Sequence, residues 1–327
     1  DMAECGVEWV VMEVSAHALY YGKVDGIVFD YCIFTNLTED HLDFFKTMQA
    51  YGAAKRKLFE KGRCKCAILN FDDEEGRALA AVAPKSVSYA LENPSDVFAV
   101  DIAEGFGGCR YIINLFDELY EIRLHMTGRH NVYNSMAAAE CAKLAGIPVP
   151  VIADGLASLE KVSGRLERAG SFRGADIFVD FAHTPDGLEK SLRALRPHCK
   201  GRLICLFGCG GNRDALKRPL MGEASARFAD FTVLTSDNPR YEDPFDIILQ
   251  IEEGVKKYTD DYIIVVDRES AIEYAVDKLE KGDVLLVAGK GGENYQEIMG
   301  VKHIYSDFSA IRGILKFKSA EKGGKNA

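Results

Sequence analysis

Between residues 176 and 289 five short runs, DIFVDFA, RLICLFG, DFTVLTS, DYIIVVD and DVLLVAG, are apolar almost throughout. Stretches with helical spacing separate them, starting near Asp186, Arg218, Asp246 and Glu269. A strand that is apolar on both faces must be covered on both, and alternation with helices supplies the covers. The pattern therefore predicts a parallel, doubly wound sheet. In such a sheet ligands bind at the carboxyl ends of the strands. Here those ends carry FAHTPDG, GCGGNRD, SDNPRYEDP and AGKGGENYQ, four polar loops expected on one rim.

The first half reads differently. EWVVMEV (8–14) and IVFDYCIF (27–34) are expected strands, MQAYGAAKRKLF (48–59) a helix, and CAILNFDDE (66–74) a strand ending in carboxylates. From 85 to 126 the apolar residues alternate with period two, the pattern of antiparallel hairpins. Helices are expected over 129–146, closed by Gly146, and over 150–162. SGRLERAG (163–170) reads as a hinge, giving domains 1–164 and 165–327, and the tail from 318 is expected to fray. The full sequence has 327 residues, enough for about two domains.

A net charge of −10 argues against nucleic-acid or membrane-surface binding and leaves room for a local basic pocket. The nine cysteines show no CxxC spacing and read as reduced thiols of a cytoplasmic protein. No apolar run nears the ~20 residues that span a bilayer, and the N-terminus lacks the basic region of a signal peptide.

Several loops hold chemistry-bearing residues. EVSAHAL (13–19) carries Glu13, Ser15 and His17, and NLTEDHLDFF (36–45) carries Glu39, Asp40, His41 and Asp43. Carboxylate and imidazole on adjacent strand ends suit Mg²⁺ beside a phosphate; equally, Thr38 could cap a helix. Lys55 by itself reads as a surface lysine. Asn131 and Asn134 share a helix face, where amides read a base edge, although Asn131 also suits an N-cap. Asp180 suits a ribose hydroxyl, and Asp186 an N-cap. GCGGNRD is not G-x-G-x-x-G, and G-x-x-x-x-G-K-[ST] occurs nowhere in the sequence.

In this order the motifs EVS-x-HAL, FTNLTEDHLD, AAK, HNVYN, SGRLE, DFAHTPD, FGCGGNRD…KRPLM, SDNPR and GKGGENYQ resemble those of the Mur ligases, ATP-dependent enzymes that extend a cell-wall peptide. The likeness runs from about residue 8 to 312 and is strongest to the tripeptide-forming, diaminopimelate-adding type. It implies an incomplete central ATPase domain, without its first strand and phosphate loop, followed by a Rossmann-like domain that holds the incoming amino acid. It also implies that an N-terminal domain is missing. By the resemblance, ATP and Mg²⁺ take part. Glu13, His41 and a carbamylated Lys55 are then metal ligands, and Lys55, His41 and Arg165 the catalytic groups. Asn131, Asn134, Asp180 and His183 face ATP. Ser15 and Lys23 face the UDP-muramyl peptide.

Arg213, Asp237, Asn238, Arg240, Gly289 and Glu293 receive the amino acid. Arg240 is expected at its distal carboxylate, with Asp237, Asn238 and Glu293 at the distal ammonium. Five departures from the family pattern stand out: Ala16, Lys23, FFKT for FHGT after HLD, Gly292 for a histidine, and YSDFS for FDDRE. The expected partners are small molecules, and the expected state is a bacterial cytoplasmic monomer. Two alternatives remain at this level. One is a related ligase of the folylpolyglutamate or cyanophycin kind. The other is a chain that, as it stands, is an inactive scaffold.

Overall fold

The computed structural model describes residues 2–324, the side chains of 321–324 excepted. Its first part contains α1 (Ala16–Tyr20), β1 (Phe29–Phe34), α2 (Leu42–Phe45), α3 (Met48–Arg56), β2 (Cys64–Asn70), α4 (Glu74–Leu79), β3 (Ser86–Ala90), β4 (Val97–Gly105), β5 (Gly108–Leu115), β6 (Glu118–Leu124), α5 (Arg129–Leu144) and α6 (Val149–Ser158). The second contains β7 (Glu167–Phe172), β8 (Ala175–Asp180), α7 (Pro185–Leu195), β9 (Leu203–Phe207), α8 (Lys217–Phe228), β10 (Phe231–Leu234), α9 (Pro244–Val255), β11 (Tyr262–Ile264), α10 (Arg268–Asp277), β12 (Val284–Ala288), β13 (Tyr295–Ile298), β14 (Val301–Ile304) and α11 (Asp307–Gly324).

The second sheet has the order β11-β10-β9-β12-β8-β7. Strands β8 to β12 are parallel, and β7 adds an antiparallel edge. Every residue of β9 and β12 is buried, as a strand covered on both faces requires. Leu188, Leu192 and Leu195 of α7 join α8 and α9 on one face. Ala271, Ile272 and Ile311 of α10 and α11 cover the other. The chain crosses from β8 to β9, winds outward to β11, and returns with β12 between β9 and β8. The loops after β8, β9, β10 and β12 therefore share one rim, as the apolar runs predicted.

The first sheet departs from expectation in an instructive way. The predicted antiparallel hairpin region is antiparallel only in part. Strand β3 pairs in parallel with both β2 and β4, and only β4, β5 and β6 are antiparallel. The result is one six-stranded sheet, β1 to β6 in sequence order. The alternation in β5 is real, but it reports one-sided burial against α5 and α6, and strand direction leaves no such mark. The expected strand 8–14 is absent. Its residues have no ladder partner among the described residues, and Trp9, Val10 and Val11 lie exposed. Apolar β-branched residues make a strand only where a neighbour accepts the hydrogen bonds.

Smaller corrections follow the same logic. Asp73 caps α4, a helix not anticipated in the acidic run. Thr38 caps nothing; His41, at φ +58°, precedes α2. Gly128 rather than Asn131 precedes α5, and Thr184 rather than Asp186 caps α7. The hairpin β13–β14 was not foreseen. The segment from 318, expected to fray, continues α11 to Gly324, and 325–327 lie outside the described residues. The nine cysteines are free thiols.

Glu140, on the inner face of α5, is fully buried, and neither carboxylate oxygen has a hydrogen-bond partner among the described residues. Burial, with Asp96 nearby, pushes its pKa up to about 8. The folded chain thus holds a proton that the unfolded chain releases between pH 4.5 and 8, so stability falls across that window. Glu140→Met should stabilise the chain by roughly 1–3 kcal/mol at pH 5 and by more at pH 8. Urea unfolding at the two pH values checks this; a gain that does not grow with pH contradicts it.

Candidate functional site

A cavity of about 460 Å³ opens on the rim of the second sheet and is closed on its far side by the first half of the chain. His17, Asp40, His41 and Asp43 come from the first half. Phe181, His183, Arg213, Asp214, Lys217, Asp237, Asn238, Arg240, Gly289, Glu293 and Tyr295 come from the loops after β8, β9, β10 and β12.

The loop after β10 sets the wall. Asn238 is 3 % exposed. Its Oδ1 accepts from Lys290 Nζ at 3.0 Å and from the backbone of Glu297 at 2.9 Å, and its Nδ2 donates to Glu293 at 3.0 Å. Lys290, fully buried, also donates to Glu293 at 3.0 Å. Gly289 has φ +109°, and a Cβ there would stand 2.7 Å from Asp237 Oδ2. Glycine is what lets that carboxylate approach the strand end.

Arg240 faces this cavity, but the acids flanking it in sequence are engaged elsewhere. Glu242 takes a two-pronged pair from buried Arg218, which holds its carboxyl below the usual range. Asp243 caps α9. Arg240 instead donates through Nε to Glu297 at 3.2 Å and through Nη1 to Gly211 O at 2.7 Å. Its Nη2 has no hydrogen-bond partner among the described residues. Arg213 and Lys217 also line the cavity without such a partner, and Lys217 is only 8 % exposed. Beside them, Asp214 Oδ2 is buried and unpaired.

Of the other expected positions, His41 and His183 line this cavity and the rest do not. Lys55 donates to Asn36 O at 3.1 Å and lies over the Tyr51 ring. Burial pulls its pKa down, against the carboxylates of Asp73, Asp40 and Glu13. It is therefore not the solvated lysine its helix position suggested. His41 packs edge-on to His17 and lies 3.5 Å from Asp40; burial lowers its pKa. His183 reaches the same Asp40 at 3.9 Å from the other half. Glu13 is exposed on the unpaired segment. Among the described residues no three His, Cys, Asp or Glu side chains are placed to hold a metal ion.

Another group lies at the junction of the halves. Asp180 is buried and accepts from Leu166 N, Ala182 N and Ser191 Oγ. Arg165 stacks on Phe181 at 4.6 Å. Asn131 is buried and donates to Thr127 O, while Asn134, one turn on, is exposed. Ser15 and Lys23 lie apart from this junction: Ser15 caps α1, and Lys23 is exposed near its end.

Sequence reasoning missed Lys290, Lys217, Asp214, Tyr295 and Glu297. Lys290 and Lys217 stand inside quoted motifs and were passed over for their neighbours. It also missed Arg268, 1 % exposed, which pairs with fully buried Asp307 through two 2.8 Å bonds and donates to the carbonyls of Ser236 and Ala288. Asp307 is the aspartate in YSDFS. Asp307→Ala leaves a buried cation uncompensated and should cost about 3–5 kcal/mol in urea unfolding. Arg268→Met combined with Asp307→Leu should cost less than Asp307→Ala alone; single losses below about 1 kcal/mol would contradict this account.

Two family models match the chain, the Mur ligase middle domain over residues 1–142 and the glutamate ligase domain of Mur ligases over 164–291. Among curated relatives, a UDP-N-acetylmuramoyl-L-alanyl-D-glutamate–2,6-diaminopimelate ligase of Caldanaerobacter subterraneus is 42% identical over 307 residues, covering 94% of this chain and 63% of the relative. The ligase of that name from Geobacillus thermodenitrificans is 40% identical, with 97% and 66% covered. The chain thus spans just under two thirds of the length of these relatives. A solved structure bearing the same enzyme name superposes with a TM-score of 0.63 at 32% identity, covering 97% of this chain and 66% of that one. A pseudomurein peptide ligase type C from Methanothermus fervidus shares the fold at 19% identity, with a TM-score of 0.71 over 93% of this chain and 66% of that one. With its two six-stranded sheets accounted for by successive Mur ligase domains, the chain belongs to the Mur ligase family.

Proposed function

We propose that this chain forms the amino-acid-binding part, and a portion of the ATPase part, of a ligase that adds meso-diaminopimelate to UDP-N-acetylmuramoyl-L-alanyl-D-glutamate in the bacterial cytoplasm. Residues 1–164 are then the incomplete ATPase domain and 165–327 the amino-acid domain. The observation that carries the reading is Arg240, in the cavity wall with one guanidinium nitrogen unengaged, beside Asp237, Asn238 and Glu293. A planar guanidinium matches a carboxylate, and the acids beside it match an ammonium. Diaminopimelate carries both at its far end; lysine lacks the carboxylate.

The reaction class is amide formation through acyl phosphate. The dipeptide's terminal carboxylate takes the γ-phosphoryl group of ATP, a co-substrate. The amine of the diamino acid then adds to that carbonyl carbon, the C–O bond to phosphate breaks, and the amine loses a proton. Arg213 holds the amino acid's own carboxylate. Arg165, at the junction, and Lys217 offer positive charge to the phosphate; His41 and His183 border the same space. Asn131, Asn134 and Asp180 are assigned to the nucleoside, and Ser15 and Lys23 to the acceptor.

Mg²⁺ fits on one condition. The residues near Lys55 are carboxylates, and protonated Lys55 among them opposes a dication. Burial favours its neutral amine, the form that takes up CO₂. Glu13, His41 and carbamylated Lys55 would then hold the ion together with phosphate oxygens, and it would supply charge neutralisation there.

Calorimetry on the 327-residue chain tests the reading. Meso-diaminopimelate should bind weakly, and ATP, for which the sequence has no G-x-x-x-x-G-K-[ST], poorly or not at all. Equal affinity for lysine would remove the specificity claim.

A further inference from the structure

We propose that Gln296 and Glu297, on β13, are positioning residues that splint the Ser236–Arg240 loop and aim the guanidinium of Arg240 across the cavity. The proposal rests on the assignment of Arg240 above and adds to it the element that fixes specificity. Arg240 has φ +52°, a left-handed conformation unfavourable for any residue with a Cβ. What holds it there comes from the hairpin. Arg240 N donates to Glu297 O at 3.0 Å, and Met299 N donates to Arg240 O at 2.6 Å. The two segments thus join by a single parallel bridge between Arg240 and Ile298.

Side chains extend the splint in both directions. Gln296 Nε2 donates to Asp237 O at 2.7 Å and to Ser236 Oγ at 3.1 Å. The backbone N–H of Glu297 donates to Asn238 Oδ1 at 2.9 Å. Glu297 Oε2 accepts from Arg240 Nε at 3.2 Å. Two neighbouring hairpin residues therefore touch Ser236, Asp237, Asn238 and Arg240.

A count of donors shows why this arrangement aims the side chain without blocking it. A guanidinium has five N–H donors. Glu297 takes the one on Nε, and Gly211 O takes one on Nη1. Three donors remain, and a carboxylate accepts two. Glu297 also supplies a counter-charge to a side chain that is only 17 % exposed. With that charge already present, a bare carboxylate arriving at Arg240 meets a pair that is close to neutral. A carboxylate that brings its own ammonium to Asp237 and Glu293 does not add net charge. The class of ligand favoured is one with a zwitterionic far end.

The test uses calorimetry with meso-diaminopimelate on the 327-residue chain carrying Glu297→Ala, Glu297→Gln, Gln296→Ala or Arg240→Ala, with thermal unfolding of each variant to confirm the fold. Glu297→Ala should lower affinity about tenfold, a loss of the size expected for a hydrogen bond to a charged group. Glu297→Gln keeps an acceptor for Nε and should stay within about threefold of the parent, a rescue that follows from aim. If Glu297→Gln binds as weakly as Glu297→Ala, the positioning role is overturned. If Glu297→Ala binds like the parent while Arg240→Ala does not, this proposal fails and the assignment of Arg240 stands. If neither variant loses affinity, the assignment itself fails. Should Glu297→Ala not fold, Gln296→Ala decides: it removes two bonds to the loop and should weaken binding several-fold, and unchanged affinity overturns the proposal.

Discussion

The site hangs on a buried arginine that touches no part of the cavity. Arg268 joins the carbonyls of Ser236 and Ala288 and is neutralised by Asp307 at the start of α11. Those carbonyls belong to the residues immediately before Asp237 and Gly289. Two non-adjacent strand ends are thus fixed to one rigid, planar group, and the loops that follow leave the sheet at set positions. A buried pair of this kind is a doubtful source of net stability, because removing two ions from water costs about as much as their attraction returns. Its four hydrogen bonds have specific directions, however, and a hydrophobic replacement would not have them.

Above this anchor the cavity is built from charges that are mostly spoken for. Lys290 and Asn238 engage each other and one oxygen of Glu293, whose Oε1 has no hydrogen-bond partner among the described residues, and Glu242 is consumed by Arg218. Arg240, Arg213 and Lys217 keep free donors, and Asp214 keeps a buried, unpaired oxygen. Of these, the buried oxygen of Asp214 carries the cost of an unmet hydrogen bond unless a guest or a proton supplies it, whereas Arg213 is exposed and water meets its donors. Asp40 lies between His41 of its own half and His183 of the other, so the electrostatics of the cavity belong to neither half alone.

Much of this could be read in the sequence, and the exceptions have physical causes. The parallel sheet was legible because β9 and β12 are apolar on both faces, a pattern few other arrangements tolerate. The rim loops were legible because glycine, proline and charge interrupt those runs abruptly. Arg268 was not: at the first position of a helix it looks like any solvated surface residue, and only tertiary packing buries it. Glu297 was hidden because YQEIMGVKHI lacks a strong turn signal, so the hairpin that engages Arg240 went unseen. Proximity along the chain does not show what engages Glu242 and Asp243: their partners, Arg218 and the first turn of α9, are set by the fold. The run 8–14 misled for the opposite reason, since its composition favours a strand but no strand among the described residues pairs with it. The YSDFS departure mattered less than it looked, because its aspartate survives as Asp307.

The central claim is that Arg240 reads the second carboxylate of a diamino acid. The most direct measurement is a thermodynamic cycle in binding: meso-diaminopimelate and lysine, each titrated into the parent chain and into Arg240→Ala. Removing the guanidinium and removing the carboxylate delete the same contact, so their effects should be strongly non-additive, with a coupling of about 1–3 kcal/mol. A coupling near zero, with both ligands losing equally when Arg240 is truncated, would show that the arginine does not meet the group by which the two amino acids differ.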